Sequence, residues 1–391
     1  MTEDAYIRFV VEHAGDDPGR LLLSADRWPD VDVRRAARNI AARAKIRSKL
    51  PTWYAHPELE YPGSLPLEQA SSEVTAIYKQ AFVPDGALIA DLTGGLGVDC
   101  WFMSRNAREA HYCERNGELC AAARHNFSAL GDSSIAVHEG DGIEWLTWQS
   151  GHFDLIYLDP ARRDAAARRV YDISDCEPDL TAVLQTLLSK SKCVLAKISP
   201  MADITRTLAQ FPETRELHVL AVAGEVKELL LLIKEDPTPG QEPLIVACDG
   251  PHRFAFHPGE EPAAGVQYAA RIGDYLLQPS RAILKAGAFR LMSERFGVAK
   301  LASSTHLYTA DTRPEGFPGK CFKVESVLDW NKTSIRQLKQ TYEKLEMTAM
   351  NFPLATDALR TRLTIAGGGT HHLFATTLAD RSRKLIICKY C

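Results

Sequence analysis

The chain has 391 residues, 45% of them hydrophobic and 25% charged, with a formal net charge of -4. That length exceeds one ordinary core, so two or three domains are expected. The mildly acidic balance excludes a chain steered as a whole to nucleic acid, which leaves only local basic patches for such contacts.

No run approaches the roughly 18 apolar residues of a membrane span. The start, "MTEDAYIRFVVEHAGDD", carries acids where a secretory signal carries bases. Nine scattered cysteines suit a reducing cytoplasm, where the protein is expected to reside. Cys388 and Cys391 have CxxC spacing, but no second pair or His cluster completes a zinc site, and no metal is expected.

Residues 1–65 read as a helical region. In "VRRAARNIAARAKIRSKL" (33–50), Ile40 and Ile46 punctuate a helix that carries seven Arg/Lys and no acid, with Pro51 after its end. It fits a solvated surface helix or a phosphate-contacting surface. "SLPLEQASSEVTAIYK" (64–79) reads as a helix capping the next domain, with Ser71, Ser72, Gln69 and Glu73 near its ligand or serving only as caps and surface.

From 66 to 236, β-rich runs alternate with helical stretches. The expected strands are "ALIADL" (87–92), "EAHYCE" (109–114), "SIAVHE" (134–139), "FDLIYLD" (153–159), "CVLAKIS" (193–199), "ELHVLAV" (216–222) and "KELLLLIK" (227–234). The first five are spaced for crossover helices, hence a parallel, doubly wound sheet. Only "AGEV" divides the last two, so they must pair as an antiparallel hairpin.

The strand ends carry the chemistry. Asp91, Thr93, Gly95 and Gly97 follow the first strand in a D-x-G-x-G-x-G pattern, with Thr93 in place of the first glycine and Gly94 added. Such a loop lets a ligand approach the backbone and the following helix N-terminus. Glu114 ends the second strand, where an acid accepts from both ribose hydroxyls of an adenosine cofactor. Asp141, in "EGDGIEW", could accept from an adenine amino group, beside Ile143 or Trp145. An Asp-Gly turn also forms with nothing bound.

"YLDPARRD" (157–164) ends the fourth strand. A dehydrogenase has no need of Asp-Pro there. Asp159 and Pro160 fit the start of the [D/N/S]-P-P-[aromatic] motif that aims an acceptor amine in line with a methyl group. Ala161 and Arg162 depart from it, and Arg162, Arg163, Arg168 and Arg169 suggest phosphate contacts or stacking instead. Lys197 and Ser199, in "KISPMADI", fall at the same sheet edge. Beyond the linker "KEDPTPGQEP" (234–243), short strands and helices read as two small α+β modules, 244–318 and 319–391.

Together "LEQASSE", "DLTGGLGVD", "CERN", "YLDPARRD", "DCEPDL", "KISPMADI", "ILKAGAF" and "LFATT" resemble a bacterial family of class I S-adenosylmethionine (SAM) methyltransferases. Its members carry a small ferredoxin-like module and a C-terminal THUMP-like domain. A more distant likeness is to ribosomal RNA guanine-N2 methyltransferases. The resemblance implies an α/β fold: a seven-stranded Rossmann-like sheet with a reversed last strand, a helical N-terminal region (1–65) and small α+β modules after 244. It implies SAM held by Asp91, Thr93, Gly94, Gly95, Gly97, Glu114, Asp141 and Ser72. Asp159 and Pro160 would be catalytic, with Arg162, Arg163 and Lys197 on the substrate side. A THUMP-like end implies a structured RNA partner, tRNA or rRNA, and the likeness to guanine enzymes implies an exocyclic amine. Two other readings stay open: a non-catalytic RNA-binding protein that keeps the fold, and a nucleotide-dependent oxidoreductase, against which the hairpin speaks.

Overall fold

The computed structural model describes residues 3–162, 173–234 and 241–391. Two compact units divide the chain, Met1–Arg215 with Leu230–Thr238, and Glu216–Leu229 with Pro239–Cys391.

In the first unit, helices α1 (Glu3–Glu12) and α2 (Val33–Ile46) pack Tyr6, Phe9, Val10, Val33, Ala36 and Ile40 into a small core. The buried Asn39 amide stitches it by donating to the Tyr6 hydroxyl at 2.8 Å and the Leu59 carbonyl at 3.2 Å. Neither expectation for the basic helix describes it fully, because several of its cations are consumed internally. Arg43 is buried and donates to the carbonyls of Tyr54 and His56. Arg35 pairs with Glu60 and covers the Tyr6 ring, Lys45 pairs with Glu68, and Lys49 donates to the carbonyls of Leu67 and Glu68. Arg34 and Arg38 remain exposed.

The expected capping helix is broken at Ala70–Ser72 into Ser64–Gln69 and α3 (Glu73–Gln80). Ser72 caps α3 through its hydroxyl, which accepts from the Thr75 N–H at 3.3 Å.

Strands β1 (Ala87–Asp91), β2 (Ala107–Glu114), β3 (Ile135–Glu139), β4 (Leu155–Leu158) and β5 (Val194–Ile198) pair in parallel, in the order 3-2-1-4-5. Helices α4 (Val98–Ser104), α5 (Gly117–Ala129), α6 (Gly142–Thr147) and α7 (Leu180–Leu188) link them, and α8 (Ile204–Gln210) follows β5. Strands β1 and β4 are apolar and almost wholly buried, as a sheet covered on both faces requires. Side-chain caps start the helices crisply: Asn116 on α5, Asp141 on α6, Asp179 on α7 and Asp203 on α8.

Strands β6 (Thr214–Val222) and β7 (Glu225–Ile233) are joined by Ala223 and Gly224 alone, both at positive φ (52° and 77°). A two-residue turn of that kind makes the expected antiparallel hairpin. The sheet does not stop at seven strands. β8 (Leu244–Asp249) pairs in parallel with β6, and β9 (His252–Phe256) pairs back on β8. The full order is 3-2-1-4-5-7-6-8-9. Residues 244–256, expected in a separate small module, therefore extend the main sheet.

The remaining strands of the second unit are β10 (Tyr275–Pro279), β11 (Ala299–Ala302), β12 (Thr305–Ala310), β13 (Gly319–Asp329), β14 (Glu346–Met350), β15 (His371–Thr377) and β16 (Arg383–Tyr390). They form one seven-stranded sheet, order 11-12-10-13-16-15-14. β10 pairs antiparallel with β13, so the two expected modules share a sheet. In "AGGGTHHLF", Gly368 and Gly369 turn at φ 100° and 93°, His371 pairs with Glu325, and His372 lies buried against Phe374. Among the described residues no cluster of His, Cys, Asp and Glu could hold a metal, and no helix is long and apolar enough to cross a membrane.

Candidate active site

The carboxyl ends of β1, β2, β4 and β5 bring the expected residues to one edge of the first unit. Asp91 closes β1 and is buried. Among the described residues the one hydrogen bond to its side chain comes from the Thr93 N–H, at 3.0 Å. Burial pushes its carboxyl well above the usual carboxylate range, and the nearby Asp99, Asp159 and Glu114 push it the same way.

The glycines of the loop play different parts. Gly94 lies flat on the Tyr112 ring, where a Cβ would come within 2.2 Å of a ring carbon. Gly97 turns at φ 87° and would meet Phe127 at 2.8 Å. Gly95, at φ 54°, faces open space: a Cβ there would meet only its own loop, at 3.8 Å. Gly95 is thus where a ligand can lie against bare backbone.

Glu114 ties this loop to β2. One carboxylate oxygen accepts from the Gly95 N–H at 2.9 Å and the other from the Asn116 N–H at 2.8 Å. Each oxygen keeps a lone pair for a further donor. Asp141 caps α6 by accepting from the Glu144 N–H at 2.8 Å, and its other oxygen is held by Arg115. Burial raises the Asp141 carboxyl, but the Glu144 N–H and Arg115 outweigh it and hold the group below its usual range. Gly142 is required beside it, because a Cβ would lie 2.3 Å from the Leu92 carbonyl.

The Asp-Pro turn is fastened from two sides. The Asp159 N–H donates to the Thr93 hydroxyl at 2.6 Å, and the Asp159 carboxylate takes the Lys197 ammonium at 2.5 Å. Thr93, occupying a glycine position of the pattern, therefore joins the glycine loop to the Asp-Pro loop directly. Arg162 pairs through its backbone with Cys176. Arg163, Arg168 and Arg169 lie outside the described residues.

Beneath the loop sits a network that sequence reasoning missed. Lys79 on α3 is fully buried and donates to Asp99 of α4 at 3.0 Å and to the Ser71 hydroxyl at 2.8 Å. Asp99 also accepts from Ser71 at 2.7 Å and from the Tyr157 hydroxyl at 2.8 Å. Burial alone would raise the Asp99 carboxyl; Lys79, Lys197 and Ser71 reverse that and hold it below its usual range. The available signal was a lysine among the inward positions Thr75, Ala76 and Lys79 of α3. Of the two serines, Ser71 enters this network, whereas Ser72 serves as the helix cap.

A ferredoxin-like domain family matches residues 275–318, and a THUMP domain-like family matches residues 319–390. A crystal structure of a proposed methyltransferase from Porphyromonas gingivalis W83 is 36% identical, with a TM-score of 0.89 over 99% of this chain and 98% of that one. The chain belongs to this methyltransferase family. SMU.1697c of Streptococcus mutans, a proposed methyltransferase solved with S-adenosylhomocysteine (SAH), is 10% identical, with a TM-score of 0.31 over 41% of this chain and 96% of that one. TrmK of M. capricolum, also solved with SAH, is 12% identical, with a TM-score of 0.33 over 41% of this chain and 68% of its own. No curated protein matches.

In this methyltransferase family member the donor loop and the Asp-Pro loop meet through the Thr93–Asp159 hydrogen bond. The arrangement sets a buried acid, bare backbone and the Glu114 carboxylate on one side, and the Asp159 carboxylate on the other.

Proposed function

We propose that the protein is a SAM-dependent methyltransferase acting on structured RNA, at an exocyclic base amine. The observation that carries this reading is the 2.6 Å bond from the Asp159 N–H to the Thr93 hydroxyl, which sets the acceptor-holding turn against the donor-holding loop. The residues fit the cofactor. A sulfonium or ammonium suits the raised, sparsely bonded Asp91 carboxyl, and ribose hydroxyls suit the spare lone pairs of Glu114. Gly95 leaves its backbone bare beside them.

When bound, SAM supplies an electrophilic methyl on sulfur. Asp159 and the Pro160 carbonyl accept hydrogen bonds from the acceptor amine and aim its lone pair. With the methyl supplied by SAM, the acceptor nitrogen would give up a proton, which Asp159 or solvent would take. The residues supply orientation and charge, with no covalent enzyme intermediate. Lys197 holds one oxygen of the Asp159 carboxylate, which leaves the other to accept from the amine. The THUMP-like match at 319–390 supports RNA as the acceptor class.

Calorimetry with SAH and transfer assays on cellular RNA test the reading together. Asp159→Ala should lose transfer while keeping SAH affinity, and Glu114→Ala should lose both. Equal loss of SAH affinity in Asp159→Ala would mean that the two sides of the cleft are misassigned.

A further inference from the structure

Arg115, the residue after the ribose-placed Glu114, bridges two acids that belong to different parts of the site. Its Nε donates to Asp141 at 3.0 Å, its Nη2 bonds the same carboxylate oxygen, and its Nη1 bonds Glu177. Glu177 lies in the short strand pair that follows Asp159-Pro160. There the backbone pairs Ala161 with Glu177 and Arg162 with Cys176. One guanidinium therefore links the Asp141 cap of α6 to the two-strand stem after Asp159-Pro160.

We propose that Arg115 is a positioning residue that couples filling of the adenosine site to ordering of the acceptor-side stem. This rests on the proposed role of Glu114 and Asp141 toward adenosine. The physical basis is the rigid, planar fork of arginine, whose donors leave in fixed directions. A ligand held by Glu114 and Asp141 immobilises both anchors that flank Arg115, one in sequence and one in space. The guanidinium then keeps one orientation, and Glu177 is held with it. Ordering completed by the first ligand is ordering the acceptor need not supply. The side chains of Arg115 and Glu177 are 54% and 45% exposed, so the link is weak enough to open again after each cycle.

The test is hydrogen exchange on the full chain with and without SAH, in the wild type, Glu177→Gln and Arg115→Lys. In the wild type SAH should slow exchange in 157–162 and 173–180 by about two- to fivefold, the range an exposed ion pair supports. Glu177→Gln should bind SAH within about twofold of the wild type yet lose the slowing. Arg115→Lys keeps the charge without the fork and should lose it too. Undiminished slowing in both variants would overturn the proposal, as would wild-type protein that binds SAH with no slowing. Wild-type protein that fails to bind SAH would overturn the adenosine reading itself, an outcome calorimetry separates from the others.

Discussion

Replacing Asp99 with asparagine probes the ion pair under the glycine loop. The change keeps the shape of the side chain but removes the carboxylate that pairs with the fully buried Lys79 ammonium. Losing one member of a buried pair typically costs about 3–5 kcal/mol. The cost has a ceiling, because a buried lysine that loses a counter-charge can shed its proton. That costs about 1.4 kcal/mol for each pH unit below its solution value of about 10.4. The ceiling is about 4.6 kcal/mol at pH 7 and about 2 kcal/mol at pH 9. Urea denaturation of the wild type and Asp99→Asn at both pH values reads the difference directly. Adding Lys79→Met should recover part of the loss, since the buried ammonium is then removed together with the carboxylate. A penalty under about 1 kcal/mol at pH 7, or one that does not shrink by pH 9, would refute the reasoning.

Gly94→Ala would drive a Cβ to 2.2 Å from the buried Tyr112 ring, whose hydroxyl is anchored on the Gly95 carbonyl at 2.5 Å. We expect a loss of about 1–3 kcal/mol or more in urea denaturation, and a neutral variant would contradict the packing described. Thr93→Val removes the partner of the Asp159 N–H without changing size, and should lower transfer about three- to tenfold with SAH affinity retained. Thr93→Ser should restore transfer; if it does not, the hydroxyl is not what matters. The raised Asp91 carboxyl is protonated in the free protein from the ordinary carboxylate range up to its shifted value. A cationic ligand favours its ionised form, so binding SAM should release a proton and tighten as pH rises through that window. Binding enthalpies that are identical in buffers of different ionisation heat would contradict this linkage.

The sheet and its reversed strand were legible because each rests on local signals. Apolar runs of strand length mark β1 and β4, and the short "AGEV" connection allows only a hairpin. Strand ends also located Asp91, Glu114 and Asp159, since a parallel sheet delivers its carboxyl ends to one edge. The extension by β8 and β9 was hidden, because the Pro- and Gly-rich linker before Leu244 resembles a domain boundary and strand pairing across it leaves no local trace. The Lys79–Asp99 pair was hidden for a related reason. Its members sit 20 residues apart on two helices, and a lysine is ordinarily read as solvent-facing. The basic helix left a solvated face and a phosphate-contacting one both open, and nothing in its sequence signalled that Glu60, Glu68 and backbone carbonyls far along the chain answer part of its charge.

The central claim is that this site transfers a methyl group to RNA. Nucleoside mass spectrometry of tRNA and rRNA from wild-type and deletion strains tests it most directly. The account predicts that one methylated nucleoside disappears in the deletion strain, returns with the wild-type gene and stays absent with Asp159→Ala. An unchanged nucleoside profile across all RNA would contradict the RNA assignment and point to a protein or small-molecule acceptor.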